Sequence, residues 1–301
     1  MRVPDAGAAF ERAVTRLRSK SRYFDHFWRA QERFFEAHAG RLSAAVSYYA
    51  FFAALSLSLL LLSVLGYLLD LGALYTVVQQ WLSENIPLID ANSIRLSRTT
   101  AGIVALVALI ITGVNWVQAV RSSIRAVWLL EQQPGNPILR WLVDLAVLFL
   151  LGLVLLLTLA LTAVGHITAD WIETGLPWLN SVISWTGTVF GVFLNALLAA
   201  ALLSGLPRLA LPLRRVLPPA LYVAIGLELL KSAGTWYISS VADKPAYQAV
   251  GSAVGLLLFL FVFNQMLLFA SAWTATSLRG RAVDMAERKR IHTDQIHKVV
   301  G

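Results

Sequence analysis

Long apolar runs separated by short polar segments are the dominant pattern of this chain. An α-helix of about 20 apolar residues crosses the ~30 Å hydrocarbon core of a bilayer. In lipid every backbone polar group must be bonded within the segment, and these runs are too long for the strands of a membrane barrel, so they predict helices. We place the spans at 44–69, 101–128, 139–165, 182–205, 217–240 and 249–277.

An amphipathic segment precedes the first span. Within 23–36 the aromatic side chains share one side of a helix and the charged side chains share the other. Such a helix suits the membrane interface, with packing beneath the bundle as the alternative. The pattern predicts an all-α polytopic membrane protein, a six-transmembrane-helix bundle with an N-terminal amphipathic interfacial helix. We divide the chain into a basic segment (1–43), the membrane domain (44–277) and a polar tail (278–301), which is expected to be a helical extension or disordered.

The composition excludes an ordinary soluble domain. Of the 301 residues, 57% are hydrophobic and 14% are charged, whereas soluble domains average about 45–50% and about 25%. In water such a chain would expose large apolar patches. The sequence has no cysteine, which excludes disulfide bonds, thiolate metal ligands and a cysteine nucleophile.

Lysine and arginine are concentrated on one side of the predicted membrane. Segments 1–43, 121–140 and 206–216 and the tail from Arg279 carry 21 of them, whereas the connections on the opposite side carry three. Basic loops stay in the cytoplasm, so both termini are predicted to be cytoplasmic. The same distribution accounts for the net charge of +8 without a nucleic-acid partner.

Polar residues inside the predicted spans are the candidate functional residues, because such side chains at bilayer depth are costly and tend to face an interior cavity. Our hypothesis is a substrate path that opens at a basic cytoplasmic rim. The alternative is hydrogen bonding that holds the helices together, including a self-neutralised Glu228–Lys231 pair, or a Lys231 side chain that snorkels outward to the membrane surface. The path residues are Asn115, Gln118, Ser122, Arg125, Glu228, Lys231 and Asn264, and the rim residues are Arg121, Arg208, Arg214 and Arg215.

Catalytic motifs are absent from the sequence, which has no HExxH, no GxxxxGK[ST] and no GxSxG. His166, Asp170 and Glu173 lie at the end of the third span, where polar residues are more often interfacial than metal ligands. We therefore expect no enzymatic activity, no catalytic residue, no metal and no cofactor. Without an ATP-binding motif, any transport would be passive, coupled to an ion or driven by a partner.

Several short motifs occur in an order that is typical of one protein family. They are Ser43–Phe52 at the first span, Arg121–Trp128 after the second, 206–218 and Trp236-Tyr237 around the fifth, and Tyr247 with Gly251 at the last. Together they cover roughly residues 25–280 and resemble the BrkB/YihY family of bacterial inner-membrane proteins. The chain departs from that family at Ser56, where proline is usual, and at Ser271-Ala272-Trp273, where the last span usually ends in Gly-Ala-Glu.

The resemblance implies a role in the cell envelope, in the bacterial inner (plasma) membrane. Relatives have been linked to serum resistance and to lipopolysaccharide or lipid export. The family's old label, ribonuclease BN, has no support here, since the sequence has no acidic or histidine-rich cluster on a soluble face to hold a metal that activates water.

Two functions are compatible with these observations. The first is a transporter, or a transport accessory, for an amphipathic, anionic envelope molecule such as a lipid. The alternative is a non-transporting envelope scaffold, oligomeric through the GxxxG pairs Gly187/Gly191 and Gly251/Gly255. The expected partners are membrane lipids and, in a homo-oligomer, further copies of the chain, with no nucleic acid.

Overall fold

The computed structural model describes residues 14–68, 91–134, 136–150, 152–153, 191–242, 245–278, 280–286 and 289–291. Nearly all of these residues are helical. In chain order the helices are α1 (14–20), α2 (Arg22–Glu36), α3 (Ala39–Leu68), α4 (Ala91–Val127), α5 (137–150), α6 (191–200), α7 (Leu213–Ala242) and α8 (Pro245–Ala275). The strands are β1 (Leu209–Ala210), β2 (Ala282–Asp284) and β3 (Lys289–Ile291).

Four of the described helices, α3, α4, α7 and α8, are long and apolar enough to cross a membrane. Their spanning parts are Ala39–Val64, Thr99–Val127, Leu213–Tyr237 and Val250–Ala275. Only 22% to 28% of each apolar window is buried inside the protein, so most of these side chains face outwards. Lipid solvates such a surface, whereas water would not. The first, second, fifth and sixth predicted spans are therefore helical, as expected.

The third and fourth predicted spans are described only in part. Residues 137–150 and 191–200 are helical, and α6 ends in a π-helical turn at Ala201–Gly205. The rest of both spans lies outside the described residues, and so do His166, Asp170, Glu173 and Gly187. The count of six spans therefore stays a prediction.

The amphipathic segment forms α2, which packs against α8. Ser21 caps the helix, because its hydroxyl oxygen accepts a hydrogen bond from the N–H of Phe24 at 3.3 Å. The aromatic side of α2 contacts the bundle, where the ring centroids of Phe27 and Phe269 are 5.4 Å apart. Packing is thus observed, while a position at the membrane interface stays a prediction.

Contact between α7 and α8 depends on a glycine. A Cβ atom added at Gly255 would lie 2.5 Å from Cε1 of Tyr237, closer than carbon atoms approach each other. The hydroxyl of Tyr237 also donates to the carbonyl oxygen of Gly251 at 3.1 Å. The pair Gly251/Gly255 therefore serves a contact between two helices of the same chain.

The buried core lies at one end of the bundle, which we call the basic end. Here α2, the C-terminal ends of α4 and α8, the π-helical turn and the start of α7 meet. The largest fully buried apolar side chains at this end are Trp128, Ile124, Leu203, Leu267 and Leu268.

A small antiparallel sheet attaches part of the tail to the basic end. β2 pairs with β1, where Asp284 lies opposite Leu209, and with β3, where Ala282 lies opposite Ile291. The expectation of a helical or disordered tail was therefore wrong for β2 and β3. The physical reason is that Asp284 is buried against an arginine of α4. Residues 292–301 lie outside the described residues.

The substitution Gly255→Ala is expected to lower the free energy of unfolding by about 1–3 kcal/mol, because the new Cβ forces Tyr237 or the helix axis to move. The matched control is Gly40→Ala, since a Cβ added at Gly40 meets nothing within 4 Å. Thermal unfolding of both variants in the same mild detergent measures the difference. Equal midpoints for the two variants would contradict the prediction.

Candidate functional site

Four arginines are almost completely buried at the basic end. Arg33, Arg121, Arg125 and Arg215 are 2%, 3%, 0% and 1% exposed. A buried guanidinium costs free energy unless its N–H groups find acceptors and its charge finds a partner. The contacts of these side chains therefore decide what this end of the protein can bind.

Arg33 of α2 caps the C-terminal end of α4 by donating hydrogen bonds to its last carbonyls. It donates from Nε to the carbonyl oxygen of Val127 at 2.6 Å and from Nη2 to that of Ala126 at 3.1 Å. The last carbonyls of a helix have no partner within the helix, and they form the negative end of its dipole. Burial lowers the pKa of Arg33, and its bond to Glu36 at 3.1 Å opposes that shift. Arg33 therefore joins α2 to α4.

Arg215 of α7 closes the end of α8 in the same way. It donates from Nε to the carbonyl oxygen of Thr274 at 2.7 Å and from Nη2 to that of Ala275 at 3.0 Å. Its guanidinium carbon lies 5.1 Å from the ring centroid of Trp128, a cation–π contact. Arg215 thus joins three elements and has no face open to a ligand.

Arg125 of α4 binds the tail. Its Nη1 and Nη2 lie 3.1 Å and 2.7 Å from Oδ1 and Oδ2 of Asp284, which makes a bidentate ion pair. The remaining donors bond to carbonyl oxygens, Nε to Glu131 at 2.5 Å and Nη1 to Pro207 at 3.0 Å. All three nitrogens of the Arg125 guanidinium therefore donate to acceptors within the protein.

Arg121, one turn before Arg125, pairs with Asp144 of α5 through Nη1. Its Nε and Nη2 are also buried, but they have no hydrogen-bond partner in the part of the chain that the structure describes. Arg140 and Arg208 lie near enough to act electrostatically on both members of this pair. Arg121, Arg125, Arg140 and Arg208 together line a small recess.

A second polar group lies within the membrane span of α7. Oε1 of Glu228 accepts hydrogen bonds from Nζ of Lys231 at 2.9 Å and from Nδ2 of Asn195 in α6 at 2.6 Å. The side chain of Lys231 is 49% exposed and that of Glu228 is 33% exposed. The predicted ion pair therefore forms, and unlike the arginine contacts it is open to its surroundings.

The other predicted path residues are dispersed. Asn264 is buried and donates to Oγ of Ser47 at 3.0 Å, which joins α8 to α3. Ser122 bonds to a carbonyl of its own helix at 3.1 Å. Asn115 is exposed and Gln118 is half-buried. The structure thus brings Glu228 and Lys231 together but does not gather the predicted path residues of α4 around one cavity.

The predicted rim residues also separate. Arg121 and Arg208 share the recess with Arg125, whereas Arg215 is enclosed by protein. Arg214 is exposed and lines an open groove of about 650 Å³ with Pro212, Leu217, Pro218 and Gly280.

Four residues at the basic end were not predicted from the sequence as functional residues: Arg33, Arg140, Asp144 and Asp284. Asp144 is the single acidic residue of its predicted span, and a lone acid at that depth should have predicted a basic partner. Asp284 carries no such signal, because it lies in a polar tail. Within the described residues, no three His, Asp or Glu side chains are placed to hold a metal ion.

Comparison with known proteins identifies relatives of most of the chain. The family described as virulence factor BrkB matches residues 30–292. An uncharacterized protein of Dickeya dadantii (strain 3937) is 32% identical over 273 residues, which cover 84% of this chain and 83% of the relative. The inner membrane protein YhjD of Escherichia coli (strain K12) is 28% identical over 275 residues, which cover 84% and 80%. No solved structure matches the chain.

Removing the carboxylate in Asp284→Ala is expected to lower the free energy of unfolding by about 3–5 kcal/mol, because the charge of Arg125 would stay buried without its partner. Glu131→Ala is the matched control, since the side chain of Glu131 is exposed and only its carbonyl bonds to Arg125. Denaturant unfolding in detergent gives both values. A difference below about 1 kcal/mol, the range of a surface pair, would refute the role assigned to this contact.

Proposed function

This chain belongs to the BrkB family, and from that premise we propose that it is a transporter, or a transport accessory, for an amphipathic, anionic molecule such as a lipid. It is an integral membrane protein with several spanning helices. Its similarity to an inner membrane protein of Escherichia coli supports a place in the inner membrane. The proposal includes no enzymatic step, no cofactor and no nucleic acid, and it names membrane lipids as partners.

The observation that carries the proposal is the half-exposed Glu228–Lys231 pair. Glu228 lies nine residues before Tyr237, the end of its span, which is about 13 Å along a helix. With Tyr237 at the edge of a hydrocarbon layer of about 30 Å, Glu228 lies near its middle and Lys231 about 9 Å from that edge. Ionisable groups at such depth are costly in lipid and face an interior or a water-filled cavity. A polar path beside α6 and α7 accounts for both their charge and their exposure.

The accessible arginines of the basic end support an anionic substrate. Basic residues near a membrane surface attract anionic headgroups by about 1 kcal/mol each. Among the predicted rim residues, Arg208 and Arg214 keep side chains that are at least partly accessible. Arg215 bonds to the last carbonyls of α8, so the basic rim that we propose does not include Arg215.

We also propose that the basic end is cytoplasmic. The described parts of the basic segments, in α2, after α4, before α7 and after α8, all lie at this one end. The excess of lysine and arginine in these segments supports their retention inside the cell, with both termini cytoplasmic.

A scaffold is the second candidate function, and one observation favours it. Asn264 and Arg215 join helices to each other, and Arg125 joins α4 to the tail, as a structural protein requires. Glu228 also joins α7 to α6 through Asn195. Among the described residues, however, the half-exposed side chain of Lys231 bonds only within its own helix, and therefore we rank transport first. A homo-oligomer is compatible with either function.

The purified protein in liposomes is expected to move a fluorescent phosphatidylglycerol analogue between leaflets faster than protein-free liposomes do. Glu228→Gln and Lys231→Gln should slow that movement by tenfold or more, which corresponds to about 1.4 kcal/mol in the barrier. Glutamine at 228 keeps an acceptor for Asn195, so the fold is retained. The rate is read from the fraction of analogue that an external quencher reaches with time.

Ser239→Ala, at an exposed position of the same helix, is the control for this assay and should match the original protein. If the original protein moved the analogue no faster than empty liposomes do, and a deletion strain showed no change in any lipid pool, the scaffold would be favoured instead.

The absence of cysteine from the sequence allows a direct test of orientation with single introduced cysteines. Arg214→Cys at the basic end and Thr100→Cys at the opposite end both use exposed positions. In right-side-out spheroplasts an impermeant maleimide should label Thr100→Cys only, and lysis should make Arg214→Cys reactive. Labelling of Arg214→Cys before lysis would reverse the proposed orientation.

A further inference from the structure

A small recess at the basic end is lined by four arginines. Its volume is about 10 Å³, roughly the space of one water-sized group. It lies between the last turns of α4, the connection to α5 and the turn before β1. Its walls include Arg121, Arg125, Pro134, Arg140, Pro207 and Arg208.

Positive charge exceeds negative charge around this recess. Asp144 and Asp284 pair with Arg121 and Arg125. The other two arginines have no ion pair with any residue that the structure describes. Nη1 of Arg140 donates only to a backbone carbonyl, at 2.8 Å. Among the side chains that the structure describes there, two carboxylates face four guanidinium groups, and this surplus of positive charge favours an anion.

Arg121, which lines the recess, has two donors that no described residue uses. Its Nη1 is taken by Asp144, whereas Nε and Nη2 are buried and bond to none of the described residues. A buried charged donor without an acceptor is costly, and the cost is removed when an acceptor enters. Nε and Nη2 form the side of the guanidinium that binds two oxygens of one oxyanion in parallel.

The backbone holds Arg208 at the recess in a conformation that few side chains adopt. Its φ is 58°, in the left-handed region that favours glycine. Hydrogen bonds fix it there: its N–H donates to the carbonyl of Gly205 at 3.1 Å, and its carbonyl accepts from the N–H of Met285 at 2.9 Å. The sheet and the π-helical turn thus maintain a strained residue beside Arg121.

We propose that Arg121, Arg140 and Arg208 bind a phosphate-type oxyanion, with one oxygen in the recess and the rest of the group at its mouth. The volume excludes a whole phosphate but admits a single oxygen. The source is either the phosphate of a lipid headgroup or inorganic phosphate. The inference deepens the proposed transport function by naming the chemical class of the anion, and binding is measured without any transport.

The experiment is calorimetric titration of the full chain in phosphatidylcholine nanodiscs at constant ionic strength. One arm uses sodium phosphate and the other uses water-soluble dihexanoyl phosphatidic acid. Arg208→Gln and Arg140→Gln should each weaken binding tenfold or more. Arg41→Gln, an exposed arginine of α3, removes the same charge elsewhere and should leave binding unchanged.

A variant of Arg121 needs its partner changed as well, because Arg121→Gln alone leaves Asp144 buried and unpaired. The double variant Arg121→Gln with Asp144→Asn removes both charges, and we expect it to fold and to lose binding. Circular dichroism of the same samples verifies the fold before titration.

Each arm has a decisive outcome. Binding of phosphate alone assigns the site to inorganic phosphate, and binding of phosphatidic acid alone assigns it to the headgroup. The proposal is overturned if the folded protein binds neither probe, if Arg41→Gln weakens binding as much as Arg208→Gln, or if chloride competes as well as phosphate. Binding without leaflet movement in liposomes and without any change in the lipid pools of a deletion strain would reject transport and keep this site.

Discussion

The architecture of the basic end depends on arginine side chains that bond to the carbonyls at the ends of helices. The last turn of a helix leaves carbonyl oxygens that need donors, and α4 and α8 both end inside the protein, where water does not supply them. Arg33 and Arg215 supply these donors from other helices. Each contact satisfies the carbonyls, neutralises a helix dipole and fixes the position of a second helix. Removing Arg33 would leave the carbonyl of Val127 without a donor among the described residues, and removing Arg215 would do the same to that of Ala275. Either change would also leave a hole in the packing.

This arrangement gives the basic residues two tasks at once. In the proposed orientation, the number of basic residues on one side keeps these segments in the cytoplasm, which requires charge but no particular partner. In the folded bundle, Arg121 forms an ion pair with Asp144, and Arg125 forms one with Asp284. A buried pair of this kind adds little net stability compared with apolar residues of the same size. It does select one arrangement of α4, α5 and the tail, because any other would leave a charge buried alone.

Four of the predicted spans and the Glu228–Lys231 pair could be predicted from the sequence because each depends on neighbours within one helix. Apolar length determines a span, and a spacing of three residues brings two side chains together. The arginine contacts could not be predicted. Asp284 lies 159 residues from Arg125, and β1 has only two residues, too few for any pattern. The basic rim was assigned by counting charges, and a count cannot distinguish exposed Arg214 from buried Arg215. Only Asp144, an acid alone in an apolar span, carried a local sign of its partner.

Two charged side chains, Glu228 and Arg121, have hydrogen-bonding atoms that form no hydrogen bond with any of the described residues. Both bonds to Glu228 end on Oε1, so Oε2 has no bond from any residue that the structure describes. Arg121 has Nε and Nη2 without an acceptor among the same residues. Apolar side chains of similar size would serve a scaffold at least as well at both positions, since an incompletely satisfied charge in a low-dielectric setting costs free energy. The proposed polar path therefore depends on the free oxygen of Glu228, and the proposed anion site depends on the free donors of Arg121.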